Sequence, residues 1–518
     1  MKFSVSTMLE KVGGRAAWAV LLMMVCGCAA VGPDFVPPDP LLPSSSFLGK
    51  PQPASEQTAS ENLRAKDPKW WVVFRDPILT SLIDRAAADN LDVQTAGVRL
   101  AESRSQRSVT AAAAFPVING NASYQRELFS ENGIVSLAKP LAPPNQPFLI
   151  PPISIWQTGF DASWEIDFWG RVRRQVEGAE AQVEASEDQR HDALVSTLAE
   201  VARNYIALRG TQREIAIAKA NLASASDIWE LTKTRAQKGL TTGLDVENAA
   251  AQVESIKATI PTLENDESSE INALSFLLDE PPGALRGELA KPKPIPPTPP
   301  KIPLGIPSEL ARRRPDIRQA EAQLHQATAA IGVSVADFYP SVTFNGNVEF
   351  NALDLKNLWK GSSLQYVIGP SISLPIFAGG RIRSTVELRE AQQQEAAIAY
   401  HKTVLNAWHE VVNALVALRT EQSRRSRLKA ETEHSAQALT LSRARYANGV
   451  GDFITVLDAE RTELQAETQY AQSTTTVSTD LVQLYKALGG GWEAFPERSE
   501  PIAALPLPPL PAAIPFTP

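Results

Sequence analysis

Gly159–Arg173 reads GFDASWEIDFWGRVR, and Gly369–Arg383, 210 residues later, reads GPSISLPIFAGGRIR. Gly159, Ser163 and Ile166 fall on Gly369, Ser373 and Ile376, and Gly170-Arg171-Val172-Arg173 falls on Gly380-Arg381-Ile382-Arg383. The same offset carries Arg235 and Gly239 onto Arg445 and Gly449. Upstream the offset is 224, where Asp92, Ala96, Leu100 and Pro116 match Asp316, Ala320, Leu324 and Pro340. The 14-residue difference puts an extra loop around 126–155. Each copy holds a strand pattern that runs into a helix pattern, and such a repeat limits the architecture more than any single motif.

Four segments alternate apolar and polar residues, the mark of strands with one face of each kind. Near 117–127, Ile118, Ala122 and Tyr124 oppose Asn119, Asn121, Ser123 and Gln125. Near 155–167, Trp156, Phe160, Ala162, Trp164 and Ile166 oppose Gln157, Asp161, Ser163 and Glu165. Near 341–350, Val342, Phe344, Val348 and Phe350 oppose Ser341, Thr343, Asn345, Asn347 and Glu349. Near 363–376, Leu364, Tyr366, Ile368, Ile372 and Leu374 oppose Ser363, Gln365, Ser371 and Ser373. Each is about as long as a tilted strand that crosses a bilayer, with aromatics on its apolar side. A soluble sandwich with one wet face would show the same alternation. Strands in lipid must close into a barrel, and four cannot, since single-chain barrels begin at about eight. Four strands from each of three copies make twelve.

Helix formers dominate Arg171–Lys238 and Arg381–Asn448, each roughly 100 Å long at about 1.5 Å per residue. Leu194, Leu198, Val201, Tyr205 and Leu208 are spaced 4-3-4-3, a coiled-coil seam, and Val404, Trp408, Val411, Leu415 and Leu418 repeat it at the 210 offset. Gly239 and Gly449 suit the left-handed position after a helix C-terminus. Second helices over 244–278 and 453–487 complete two helical hairpins, and further helices are predicted over 79–114 and 308–338. The fold class is mainly α with membrane β.

The N-terminus reads as an export signal: Lys2, Lys11 and Arg15 precede the apolar run Ala16–Val25, too short to span a bilayer. It ends in Val25-Cys26-Gly27-Cys28, which resembles the bacterial lipoprotein cleavage box. That resemblance implies lipid on Cys28 as outer-membrane anchor, and Ala29 favours outer-membrane sorting. The alternative is an ordinary signal peptide with two incidental cysteines. Cleavage removes a net +2 from a chain of net charge −8, and so acidic a protein argues against nucleic acid as a partner. No later stretch has the roughly 18 apolar residues of a transmembrane helix. The boundaries expected are 1–27 signal, 28–75 lipidated extended segment, 76–290 first repeat, 291–307 proline-rich linker, 308–490 second repeat, and 491–518 proline-rich tail.

In order along the chain stand Val31-Gly32-Pro33-Asp34-Phe35, Trp70-Trp71 with Phe74-Arg75-Asp76-Pro77, and Ile166-Asp167-Phe168-Trp169-Gly170-Arg171. They are followed by Arg313-Arg314-Pro315-Asp316-Ile317, Leu374-Pro375-Ile376-Phe377 with Gly379-Gly380-Arg381, and Tyr485-Lys486-Ala487-Leu488-Gly489-Gly490-Gly491-Trp492. With Cys28, this set resembles the TolC-type outer-membrane efflux channels, in the NodT-like lipoprotein branch that serves tripartite exporters of the RND type. The resemblance covers nearly all of the mature chain. It implies a homotrimer with a twelve-stranded barrel and a twelve-helix periplasmic tunnel. It also implies a periplasmic adaptor (a membrane fusion protein) at the helix tips and an energised inner-membrane pump.

Ile454, Asp458 and Arg461 stand at i, i+4 and i+7 after the second hairpin turn, on one helix face. In the resembling channels the matching positions of Phe453–Arg461 line the closed periplasmic aperture. The expectation is an apolar ring at Ile454, an acidic ring at Asp458, and Arg461 close to it. The first-copy counterparts Leu244, Asn248 and Ala251 are uncharged, so the charges are confined to the second hairpin. A simple exposed Asp–Arg pair is the alternative, worth tenths of a kcal/mol. Arg235, Gly239, Gly243, Arg445, Gly449 and Asp452 are the expected adaptor contacts, or serve only to close the turns.

An enzyme is the weakest class. The five histidines form no His-Glu-x-x-His pair, and Gly489-Gly490-Gly491 does not follow a strand. No cofactor or metal is expected. A non-channel coiled-coil lipoprotein would have no use for the strands, and a protein-secretion duct of the same fold stays open.

Overall fold

The computed structural model describes residues 30–40, 68–130, 151–299 and 313–496. Cys28, the signal segment, residues 131–150 of the extra loop, linker residues 300–312 and the tail beyond 496 lie outside the described residues. The first repeat runs α1 (Pro77–Asp89), α2 (Leu91–Ala112), β1 (Val117–Glu127), β2 (Ile153–Ile166), α3 (Arg171–Gln237), α4 (Gly243–Leu277) and the short α5 (Arg286–Leu289). The second runs α6 (Pro315–Ala336), β3 (Ser341–Ala352), β4 (Leu364–Ser373), α7 (Arg381–Ala447) and α8 (Phe453–Ala487). The fold class expected from the sequence is the one found. No helix among the described residues is long and apolar enough to cross a membrane.

The chain divides into two compact units, 1–37 with 102–183 and 322–398, and 38–101 with 184–321 and 399–518. The first unit carries the sheet, antiparallel throughout and ordered β1-β2-β3-β4. Val117 pairs with Ser163 and Asn121 with Gly159; in the second hairpin Ser341 pairs with Ser373 and Asn345 with Gly369. Those partners differ by 224 on one strand and 210 on the other, so both sequence offsets reappear as one register. Residues paired directly across strands point to the same face. Tyr124 opposite Trp156, Phe160 opposite Val348, Trp164 opposite Phe344 and Val342 opposite Ile372 therefore build an apolar face. Exposed Phe160, Tyr366, Ile368 and Ile372 leave that face bare. The outer edges of β1 and β4 have no partner among the described residues.

The expected strand over 363–376 stops at Ser373. Pro375 has no N–H to donate to a ladder, and among the described residues no strand lies beyond β4 to hold the last residues extended. At the base of this unit the Val31–Phe35 motif is a strap. Val31 N–H donates to Trp169 O (3.0 Å), Arg174 binds Asp34 (2.6 Å), and Phe35 stacks on His325 at 4.4 Å.

In the second unit the core gathers Trp71, Phe74, Leu79, Leu82 and Ile83 against Leu198, Tyr205 and Leu208 of the first seam. Val411, Leu415 and Leu418 of the second seam join it, with Leu481 and Leu484. Burying such side chains stabilises by about 1.5–3 kcal/mol each. Asp76 caps α1, accepting from Ile78 and Leu79 N–H, while its other oxygen accepts from the Tyr205 hydroxyl at 2.6 Å. Pro77 sits at the first helical position, where its missing N–H has no partner to lose. Burial and the Asp76 carboxylate push the Tyr205 phenol up.

The single helix expected over 79–114 is two. Asn90 adopts an extended conformation, and its side-chain oxygen accepts from Asp92 and Val93 N–H to start α2. Its amide donates to Leu277 O at 2.9 Å, a contact 187 residues away that fixes the break. The segment expected to be extended through residue 75 instead coils into a 3-10 turn over Trp70–Phe74, because both tryptophans and Phe74 are buried.

Candidate functional site

Polar groups concentrate at two places. On the sheet's polar face, Asp161 accepts from Asn119 (3.1 Å) and Asn121, and Glu349 accepts from Gln157, Gln365 and Asn347. Arg126, the one basic residue within the four strands, has the parity of the apolar face. The polar face of the strands is therefore acidic; amides hold Asp161 and Glu349, whereas Arg171 grips Glu165 at the end of β2 (2.9 and 2.6 Å).

The other place is the turn end of the two helical hairpins, in the second unit. Both turns are built alike. Leu240 N–H bonds Arg235 O (2.9 Å) and Val450 N–H bonds Arg445 O (3.0 Å), around Gly239 at φ +71° and Gly449 at φ +78°. Only glycine adopts that conformation without strain. Their far sides differ. Thr242 and Asp245 form a capping box at the start of α4, with the Thr241 hydroxyl holding the Asp245 carboxyl below its ordinary range. Asp452, at the equivalent position before α8, makes no cap bond with its side chain.

Ile228 of α3, Ala249 of α4, Leu439 and Tyr446 of α7, and Phe453, Val456 and Leu457 of α8 form one apolar cluster behind the turns. Ile454 is 52 % exposed, and Asp458 and Arg461 are exposed on the same side of α8, away from that cluster. Arg461 does not close on Asp458. Its Nε donates to Gln252 Oε1 of α4 at 2.9 Å, and no ion pair to Asp458 is formed among the described residues. The simple Asp–Arg pair is thus replaced by a link between hairpins.

Arg235 also works across hairpins. It donates to Tyr446 O (2.9 Å) and lies 4.6 Å over the Tyr446 ring, so it caps the end of α7 and is half-buried. Arg445, Gly239, Gly243, Gly449 and Asp452 are exposed. Gln252, Tyr446 and the pair Arg443–Glu460 (2.9 Å) were not singled out in the sequence. Glu460 lies near the repeat-related helix ends and is buried, which pushes its carboxyl above the usual range against the pull of Arg443. A signal was available: Gln252 stands one residue from the repeat counterpart of Arg461.

The strands and hairpins are matched by the family model described as outer membrane efflux protein, over residues 82–279 and 306–490. The chain belongs to the outer membrane efflux protein family. The two matched segments of this outer membrane efflux protein follow its two repeats. It is 30% identical over 472 residues to nodulation protein T of Rhizobium leguminosarum bv. trifolii, covering 91% of this chain and 96% of that one. It is 28% identical over 479 residues to the probable outer membrane lipoprotein SilC of Salmonella typhimurium, covering 91% and 97%. The solved outer-membrane channel OprN superposes with a TM-score of 0.80 at 31% identity, covering 90% of this chain and all of that one.

Proposed function

We propose that this outer membrane efflux protein is the exit duct of a tripartite exporter, a trimer that passively conducts small molecules from the periplasm to the exterior. The single observation that carries it is a four-stranded sheet with a bare apolar face and two edges unpaired among the described residues, in a chain that also carries two long helical hairpins. Such a sheet is stable in lipid only when other copies close it. Energy for transport comes from an inner-membrane pump, reached through a periplasmic adaptor. The lipoprotein box at Cys28 and the similarity to a probable outer membrane lipoprotein support a lipid anchor there.

Ile454, Asp458 and Arg461 form the periplasmic gate in this reading. Three Asp458 side chains converging on the axis repel one another, and Arg461, engaged by Gln252, does not neutralise them. The Arg461–Gln252 bond holds α8 to α4 and must break for the tip to widen. The purified protein should conduct in planar bilayers, and Asp458→Ala with Arg461→Ala should raise closed-state conductance and cellular vancomycin sensitivity. No conductance in assembled trimers would overturn the duct; unchanged conductance and sensitivity in the double variant would overturn the gate.

The exposed turn residues Gly239, Gly243, Arg445, Gly449 and Asp452 are the adaptor's docking points, whereas Arg235 serves the protomer's own packing. Loss of fatty-acid labelling on Cys28→Ala, and adaptor crosslinks recovered from Arg445 but not from mid-helix surfaces, check the anchor and the docking points.

A further inference from the structure

We infer the register in which β4 of one copy pairs with β1 of the next: Ser371 opposite Ser123, Gly369 opposite Gln125, and Ser373 opposite Asn121. The inference rests on the trimeric reading above and adds to it the atomic seam between copies.

The repeat sets the register. The β1–β2 and β3–β4 hairpins share one register under the offsets 224 and 210. The β2–β3 pairing joins the end of one hairpin to the start of the next, inside a single chain: Asp161 pairs with Asn347, and Gly159 with Glu349. The junction between copies is the same kind of junction, since β4 is the counterpart of β2 and β1 the counterpart of β3. Carrying Asp161 forward by 210 gives Ser371, and carrying Asn347 back by 224 gives Ser123.

Three further observations agree with that register. It keeps both faces continuous, setting Ala122 opposite Ile372 and Tyr124 opposite Pro370 on the apolar side, with small polar pairs on the other. A slip of one residue would turn apolar side chains to the polar face. It also sets Gly120 opposite Leu374, giving an extended partner to the apolar residues Leu374 and Ile376 that are exposed beyond the present end of β4. Finally, it closes evenly. Crossing from Val117 through Ser163 to β3 lands on Asn345, four residues past Val117's own counterpart Ser341. Six equal steps close a ring with a stagger of about 24 residues, shared equally among three copies as a closed barrel requires.

The test is a disulfide across the seam in the full-length lipidated protein. Directly opposed residues have Cα atoms about 4.5–5.5 Å apart, within the span a disulfide bridges, whereas diagonal neighbours two residues off stand about 7–8 Å apart. Within one chain, β1 and β4 are three strand spacings apart, roughly 14 Å, so any bond formed joins two copies. Ser123→Cys with Ser371→Cys should give disulfide-linked dimers and trimers on non-reducing gels. The pairs Ser123→Cys with Ser373→Cys and Asn121→Cys with Ser371→Cys, each two residues out of register, should crosslink slower by roughly an order of magnitude. Faster crosslinking of either shifted pair, or none from any pair in trimers of normal mass, overturns the register. A protein that is not trimeric before oxidation overturns the underlying reading instead.

Discussion

Gly159→Val should leave no detergent-stable trimer, while Gly120→Ala assembles normally. A Cβ at Gly159 would lie 2.3 Å from the Val348 carbonyl oxygen and 2.5 Å from Glu349 Cα, both backbone atoms of the neighbouring strand. Neither can rotate away, so the cost goes beyond the roughly 1–3 kcal/mol of ordinary overpacking. Relief requires β2 and β3 to part, and those strands join the two halves of the sheet. At Gly120 the nearest atom is the edge of the Phe160 ring at 3.4 Å, which an alanine can meet. Heat-modifiable migration on gels reads the result, and a normal Gly159→Val trimer would show that the junction yields more than its contacts allow.

Arg314→Leu should destabilise the second unit by about 3–5 kcal/mol, the loss typical of one partner removed from a buried ionic network. Arg314 is 7 % exposed. Its guanidinium grips Asp316 through two bonds (2.9 and 2.7 Å), reaches Glu410 at 2.8 Å, and donates to the Ala487 carbonyl at 2.7 Å. Nearby, burial together with Asp316 and Glu410 pushes the Asp192 carboxyl up, and Arg314 opposes the rise. An acid whose folded pKa lies above its unfolded value favours folding at low pH and loses that contribution as pH rises through the folded value. Without Arg314 the rise grows, so the variant should be least stable near pH 8 and recover part of the loss toward pH 5. Urea melts at the two pH values measure this. Adding Glu410→Gln should restore stability mainly at pH 8, and a loss equal at both pH values would place the effect in packing alone.

Period-two alternation made the strands legible, and the two offsets foreshadowed their register, because a β-sheet turns sequence parity directly into faces. The helical hairpins were equally plain from the runs of helix formers and the paired glycines. What stayed hidden depends on residues brought together from afar. Asn90 is a residue type that can start a helix, but only its contact with the distant Leu277 carbonyl fixes the break there. Arg461 reads locally as a partner for Asp458, three residues away, until α4 offers Gln252. Arg235 and Arg445 are repeat equivalents, yet only the first finds a tyrosine ring and open helix carbonyls. A duplicated sequence shows where two copies differ but not which neighbour each difference meets.

The start of α8 has no side-chain cap. A side-chain cap is worth about 1 kcal/mol, and α4 has one while α8 does not. The first-turn amides of α8 therefore exchange with solvent sooner than their counterparts in α4. Fraying of these two helix starts should therefore begin in the first turn of α8, ahead of Asp458, and not in α4. Two repeat-related helices thus differ in how tightly their first turns are held.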